Sequence, residues 1–320
     1  MRYWVVMESS RIFALIIFLI ISVQHSHQAL AESAEQPATT DEMTTGQVIS
    51  ESIFGDVYAN PENWQELSIG DFFSNGWDKP WVSPPNGGGG APRQGWLNAF
   101  EGVFYRLSLG VFGWQHNNNN DGYTGNLVSF TPFNQRFNLQ TEIPVASNNN
   151  RTDLGDIRVQ GRFMLSETQN VTQTFNLAFR APTGSSTNGN GVASVIPQYQ
   201  FWANWWQGLV VRGGAGFTIP YTGQIYQAGA RTTFDANLAV GYYFTPHDLT
   251  PFGDMVWYVA TNLSQAIDDR GPSSTTTVSL SPGFRTHVGD NWYLLGAVEV
   301  PVTNPDPFDY QVLFALMKVY

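Results

Sequence analysis

The chain has no cysteine and little charge, with Asp, Glu, Lys and Arg making up 13% of its 320 residues. Without thiols, disulfide scaffolds, thiolate zinc sites, iron–sulfur clusters and cysteine nucleophiles are all excluded. Basic residues are outnumbered 15 to 26, giving a formal charge of −11, so nucleic acid is not an expected partner. Long hydrophobic runs are missing as well. The longest, Ile12 to Ile21, has ten residues, well short of the roughly 20 that a membrane helix needs.

That short run is better explained as an address. Arg2 and Arg11 precede it, and Ala29-Leu30-Ala31 follows with the small residues a signal peptidase accepts, so residues 1–31 are expected to be an export signal peptide. Residues 32–97 carry ten acidic side chains against Lys79 and Arg93, and run into Pro84-Pro85-Asn86-Gly87-Gly88-Gly89-Gly90-Ala91-Pro92. This composition predicts an acidic, Pro/Gly-rich periplasmic tail and linker. Scattered Phe, Trp and Ile between Ile53 and Trp81 leave a plug or a short docking helix open as alternatives.

From Asn98 to Tyr320 the pattern changes to period-two alternation, the period of strands. Phe234, Ala236, Leu238, Val240, Tyr242 and Phe244 share one face, while Arg231, Thr233, Asp235, Asn237 and Gly241 share the other. Ile157, Val159, Phe163 and Leu165 alternate with Arg158, Gln160 and Arg162, and Val103, Tyr105, Leu107, Leu109 and Val111 with Gly102, Arg106, Ser108 and Gly110. Twelve such segments are expected, separated by long polar connections (116–121, 146–154, 182–193, 220–230, 263–275) and mostly short ones (133–134, 205–206, 288–290). Strands of about 9 to 11 residues can cross a bilayer, and sorted loops are the mark of an outer-membrane barrel. The fold class is therefore all-β, a transmembrane antiparallel up-and-down β-barrel over 98–320, with its apolar parity facing lipid.

Arginine placement supports that orientation. Eight arginines (106, 136, 158, 162, 180, 212, 231 and 285) fall on polar parity and none on apolar parity. A lipid-facing Arg at the midplane costs about 2 to 4 kcal/mol, so a one-residue slip at Arg158 and Arg162 is strongly disfavoured. Aromatics such as Trp114, Phe201, Tyr242, Phe244, Trp292, Phe308 and Tyr320 sit near segment ends, where rings favour the headgroup region. The final segment ends on Tyr320 in the manner of a signal for the barrel-assembly machinery, with Lys318 interrupting its apolar parity.

Several short motifs resemble one family. Asp153-Leu154-Gly155-Asp156-Ile157 before a strand, Phe179-Arg180-Ala181-Pro182-Thr183-Gly184 at a loop entry, Leu127-Val128-Ser129-Phe130-Thr131-Pro132 before Glu142-Ile143-Pro144-Val145, and the stretch Pro197 to Pro220 are similar to the "putative MetA-pathway of phenol degradation" barrels. The resemblance spans about Asn98 to Tyr320 and leaves the acidic tail outside. It implies an outer-membrane transporter, and the family name implies aromatic or other hydrophobic solutes.

Catalytic and cofactor chemistry finds little footing. His116, His247 and His287 lie in or near turns with no Ser partner in sequence reach. Gly213-Gly214-Ala215-Gly216 lacks the Gly-Lys of a phosphate loop and fits a close-packed strand, and the Asn117–Gly122 stretch lacks the Glu that would close a calcium loop. No catalysis, cofactor or metal is expected. The candidate functional surface is the lumen charge set Arg106, Arg136, Glu142, Asp156, Arg158, Arg162, Arg180, Arg212, Arg231, Asp235, Asp254, Arg285 and Glu299. Two arrangements stay open: a charged path for small solutes, or salt bridges that shut a structural or surface-interaction barrel. Expected partners are outer-membrane lipid and lipopolysaccharide, the assembly machinery and a small-molecule solute.

Overall fold

The structure is a computed structural model that describes residues 43–117, 121–148, 151–185, 188–223, 230–268, 276–304 and 307–320. The expected signal peptide lies outside the described residues. Thirteen strands form one antiparallel sheet: β1 Leu107–His116, β2 Gly122–Pro132, β3 Phe137–Asn148, β4 Arg151–Leu154, β5 Arg158–Glu167, β6 Val171–Arg180, β7 Val192–Trp206, β8 Leu209–Gly223, β9 Thr233–Tyr243, β10 Gly253–Ala266, β11 Thr276–Gly289, β12 Trp292–Pro301 and β13 Tyr310–Val319. β1 pairs with both β2 and β13, from Leu107↔Val319 to His116↔Tyr310, and this closes the sheet on itself. β4 and β5 both pair with β3, at Val145↔Leu154 and Glu142↔Arg158, so they are two parts of one wall strand interrupted by a bulge. The wall is thus a closed barrel of twelve strands.

Closure is what makes the wall viable in a bilayer. Each unpaired backbone group in hydrocarbon costs several kcal/mol, and a closed ladder leaves no edge. None of the described helices is long and apolar enough to cross. The outward parity is apolar and exposed, as at Val159, Phe179, Leu238, Val240, Tyr242, Trp257 and Val259. Such a continuous apolar surface has lipid as its solvent. Inward parity on the same strands carries Gln160, Arg162, Asn237 and Tyr258.

The first strand departs from the expectation. Asn98 to Arg106 is not wall at all, and the barrel begins at Leu107. Leu107, Leu109 and Val111 face inward against the apolar core, whereas Phe112 and Trp114 face outward beside Tyr123 and Tyr310. Here the apolar parity serves the interior, because something apolar stands inside to receive it. The loop expected at 146–154 is also shorter, since β3 runs to Asn148 and β4 starts at Arg151. Polar Ser147 and Thr152 read as turn by composition, yet they are register partners in the ladder, and the Thr152 hydroxyl donates to Ser147 at 3.0 Å.

Short turns at 133–136, 168–170, 207–208 and 290–291 share one end with the start of β1 and the end of β13. By the loop rule for such barrels this end is periplasmic. At the other rim the bulge between β4 and β5 forms a clasp. Asp156 accepts from the amides of Gly184 (3.0 Å) and Asn190 (2.9 Å), and the Thr183 hydroxyl accepts from the Ile157 amide at 2.9 Å. The Gly-Asp and Pro-Thr-Gly motifs are therefore two halves of one rim contact.

Leu238 sits at the middle of β9 and faces lipid. Replacing it with Arg is expected to destabilise the barrel by about 2 to 4 kcal/mol in guanidinium titrations in lipid vesicles.

Candidate functional site

The lumen is occupied by the chain's own N-terminal segment. Helix α1 (Thr45–Phe54) opens with a capping box between Thr44 and Gln47, and short 3₁₀ turns follow at Pro61–Asn63, Ile69–Asp71 and Gly88–Gly90. The stretch from Gln94 to Tyr105 then enters the barrel as a loop whose tip, Asn98, has φ 54°. Irregular backbone inside a barrel must find partners for its polar groups. The inward polar parity supplies them. Asn98 Nδ2 donates to Glu299 (2.8 Å) and Ser281 (3.1 Å), the Phe100 amide donates to Asn237 (2.9 Å), and the Gly102 amide to Gln200 (3.2 Å). Thr172 donates to the Gly102 carbonyl at 2.6 Å and Asn138 to the Tyr105 carbonyl at 2.8 Å.

Arg212 is the strongest clamp on this loop. Fully buried, it donates to the carbonyls of Phe100 (2.8 Å), Gln94 (2.7 Å) and Glu101 (2.8 Å) and to the Glu101 carboxylate (2.7 Å). Trp96 stacks on Tyr258 at 4.8 Å and donates to the Tyr243 hydroxyl at 3.0 Å. Two glycines permit the close approach. A Cβ at Gly102, where φ is +55°, would meet the Phe201 backbone at 2.4 Å, and one at Gly214 would meet the Tyr199 carbonyl at 2.1 Å and the Phe100 ring at 3.1 Å.

Below the loop, residues 43–93 form a collar at the periplasmic rim. Arg106 donates to the carbonyls of Ile53 (3.2 Å) and Gly55 (2.7 Å) at the end of α1 and to the Tyr320 carbonyl (3.1 Å). Arg136, in the β2–β3 turn, binds the carbonyls of Asn75 and Ser68 and the Asp71 carboxylate. Arg93 pairs with Glu167 at 2.6 Å with both side chains buried. Burial pulls the Arg93 guanidinium below its ordinary value, and the Glu167 carboxylate opposes that shift.

The inner wall has two halves of different character. β3, β5, β7, β8 and β9 present Gln140, Gln160, Gln198, Gln200, Arg212 and Asn237, whereas β1, β2, β12 and β13 present Leu107, Leu109, Val128, Phe130, Leu295 and Met317. A cavity of about 420 Å³ lies on the outer side of the loop between these halves, lined also by Glu142 and Arg158. A second of about 400 Å³ lies on the periplasmic side, lined by Tyr58, Arg93, Arg106, His247, Asp254 and Tyr293. Between them Trp96, Tyr105, Phe130 and Met317 leave a space of about 20 Å³, on the order of a single water.

The predicted charge set is distributed around this assembly rather than gathered in one ring. Arg158 meets Glu142 at 3.5 Å and also binds Gln160; Arg180 donates to Ser194; Asp235 accepts from Thr218, Thr233 and Ser264; Glu299 accepts from Ser279 and Asn98. Arg285 lies 3.9 Å from Asp254, which also accepts from His247, and its guanidinium rests on Tyr293. Four members lie outside the strands: Arg106 in the inserted segment, Arg136 in a turn, Asp156 in the rim bulge, and Arg231 before β9, where it binds Asp268. Arg162 and Arg212 are fully buried against the inserted loop. Sequence reasoning missed Trp96, Asn98, Glu101 and Tyr105, whose signal was the density of aromatic and glycine residues just before the first strand.

A closed twelve-stranded wall, a lipid-facing outer surface and short turns at one end define an outer-membrane β-barrel of the Gram-negative type. The chain belongs to the family described as "Putative MetA-pathway of phenol degradation", whose model matches residues 83–310. The match begins inside the stretch expected to lie outside the resemblance, and so takes in the Gly/Pro-rich segment and the inserted loop. Among solved structures, the COG4313 outer membrane channel from Pseudomonas putida F1 is 12% identical with a TM-score of 0.51, over 68% of this chain and 97% of that one. The KdgM porin is 11% identical with a TM-score of 0.46, over 66% of this chain and 99% of that one. These are likenesses of fold. No curated protein matches the chain.

Arg212→Met would leave three loop carbonyls without their donor and Glu101 with the Tyr105 hydroxyl alone. Breaking one side of a buried charged pair costs about 3 to 5 kcal/mol, so amide hydrogen exchange across Gln94 to Tyr105 is expected to rise steeply while exchange in β8 stays slow.

Proposed function

We propose that this protein is an outer-membrane channel for small, partly hydrophobic or aromatic solutes, gated by its own N-terminal segment. The observation that carries the reading is the pair of cavities on either side of the inserted loop, meeting at an aromatic constriction. Their linings suit a solute with an apolar body and hydrogen-bonding substituents, since ligand sites combine apolar walls with a few placed polar groups. Moving the loop aside joins the two chambers through the barrel. Transport rather than catalysis fits the histidines, as His116 binds Asp121 and His247 binds Asp254 while stacking on His287. In this reading lipid and lipopolysaccharide surround the wall, and the aromatic outward parity of β13 is the feature the assembly machinery would recognise.

A second reading, a non-conducting barrel that contacts surface partners, is favoured by the strength of the Arg212 clamp. The absence of native cysteine makes the two separable. Asn98 and Ser281 touch at 3.1 Å, so Asn98→Cys combined with Ser281→Cys ties the loop tip to the wall when oxidised. In planar bilayers the reduced protein is expected to show conductance steps that oxidation abolishes. Silence in both states would favour the closed barrel, and steps that survive oxidation would remove the loop from the gate.

A further inference from the structure

Two fully buried guanidiniums flank the inserted loop, and one of them holds its carboxylate. Arg212 takes Glu101 at 2.7 Å together with its three carbonyls. Arg162 lies on β5 between its register partners Asn138 and Asn176, with no exposure to solvent. Its Nε, Nη1 and Nη2 have no hydrogen-bond partner among the described residues. The guanidinium rests instead over the rings of Phe130 (5.0 Å), Phe104 (5.8 Å) and Tyr105 (5.9 Å). The Tyr105 hydroxyl donates to the Glu101 carboxylate at 2.7 Å, which brings that carboxylate to the ring on which Arg162 rests.

A buried cation with neither counter-ion nor hydrogen bonds is costly, and ring faces offset only part of that cost. Phe104 and Tyr105 belong to the inserted segment, so displacing that segment uncovers Arg162 in the lumen. Phe130 links this cation to the apolar half-wall, because the same ring lines the constriction with Leu109, Leu295 and Met317. Both guanidiniums meet Tyr105, Arg212 at its hydroxyl (3.4 Å) and Arg162 over its ring (5.9 Å), and Tyr105 with Phe130 lines the constriction.

We infer that the constriction is a subsite for amphipathic organic acids. The solute's carboxylate binds Arg162 and Arg212 in place of Glu101, and its apolar body lies on Phe130 and its aliphatic neighbours. The exchange keeps Arg212 compensated and gives Arg162 a counter-ion, so an acid of this shape loosens the loop that a neutral analogue leaves seated. The inference deepens the channel reading and rests on it.

The test uses benzoate and its neutral counterpart benzamide on the full-length chain. In detergent, benzoate is expected to bind at least tenfold more tightly than benzamide, to lose at least tenfold in Arg162→Gln, and to regain most of that in Arg162→Lys. Heat-modifiable migration on gels checks that each variant is folded. Equal binding of the two probes, or benzoate binding unchanged in Arg162→Gln, overturns the subsite. Flux into proteoliposomes separates the two readings. Passage of benzamide with no preference for benzoate keeps the channel and removes the subsite, whereas intact benzoate binding without passage of either probe removes the channel.

Discussion

In hydrocarbon a peptide group has no partner except another peptide group, and the barrel is organised around that requirement. Pairing β1 with both β2 and β13 closes the ladder, so every wall strand is bonded on two sides. Closure then fixes two faces with opposite solvents. The outer one must be apolar, which explains the exposed Leu238, Val240 and Val259, while the inner one is free to be polar. That freedom is used structurally. Gln200, Asn237, Thr172 and Asn138 act as a substitute for a neighbouring strand, bonding the backbone of a loop that could not otherwise be buried.

Electrostatics inside the barrel follow from the same arrangement. Several arginines find peptide carbonyls more than carboxylates: Arg106 at the end of α1, Arg136 on Asn75 and Ser68, and Arg212 on Gln94, Phe100 and Glu101. Carbonyl dipoles disperse a charge without adding a second ion that must be desolvated, which favours them where water is scarce. The same bonds tie the acidic N-terminal segment to an arginine-bearing wall. Strands and segment are thus complementary, and each covers groups that the other would leave bare.

The division of the lumen into an amide-lined and an aliphatic half gives that complementarity a functional meaning. Leu97 and Tyr105 pack toward the aliphatic half, Tyr105 edge-on to Phe130, while the backbone of the same loop bonds the polar half. A loop with one greasy and one polar side is held in a passage with the same two sides. A solute able to compete for that position needs both properties.

By itself the sequence determined the barrel. Alternation in β5 and β9, the parity of Arg158, Arg162 and Arg212, and the sorting of short from long connections follow from the bilayer's demands on each residue locally, so they are visible without contacts. It also singled out the Gly155-Asp156 and Pro182-Thr183-Gly184 motifs, though not that they clasp one another. Only the tertiary structure decided what fills the lumen. Leu107, Leu109 and Val111 look lipid-facing by pattern, because period two states that two faces differ and not which of them points inward. Their direction, like the roles of Trp96 and Glu101, depends on a segment of irregular backbone whose partners lie far along the chain. Such contacts have no period, and so they leave no trace in sequence spacing.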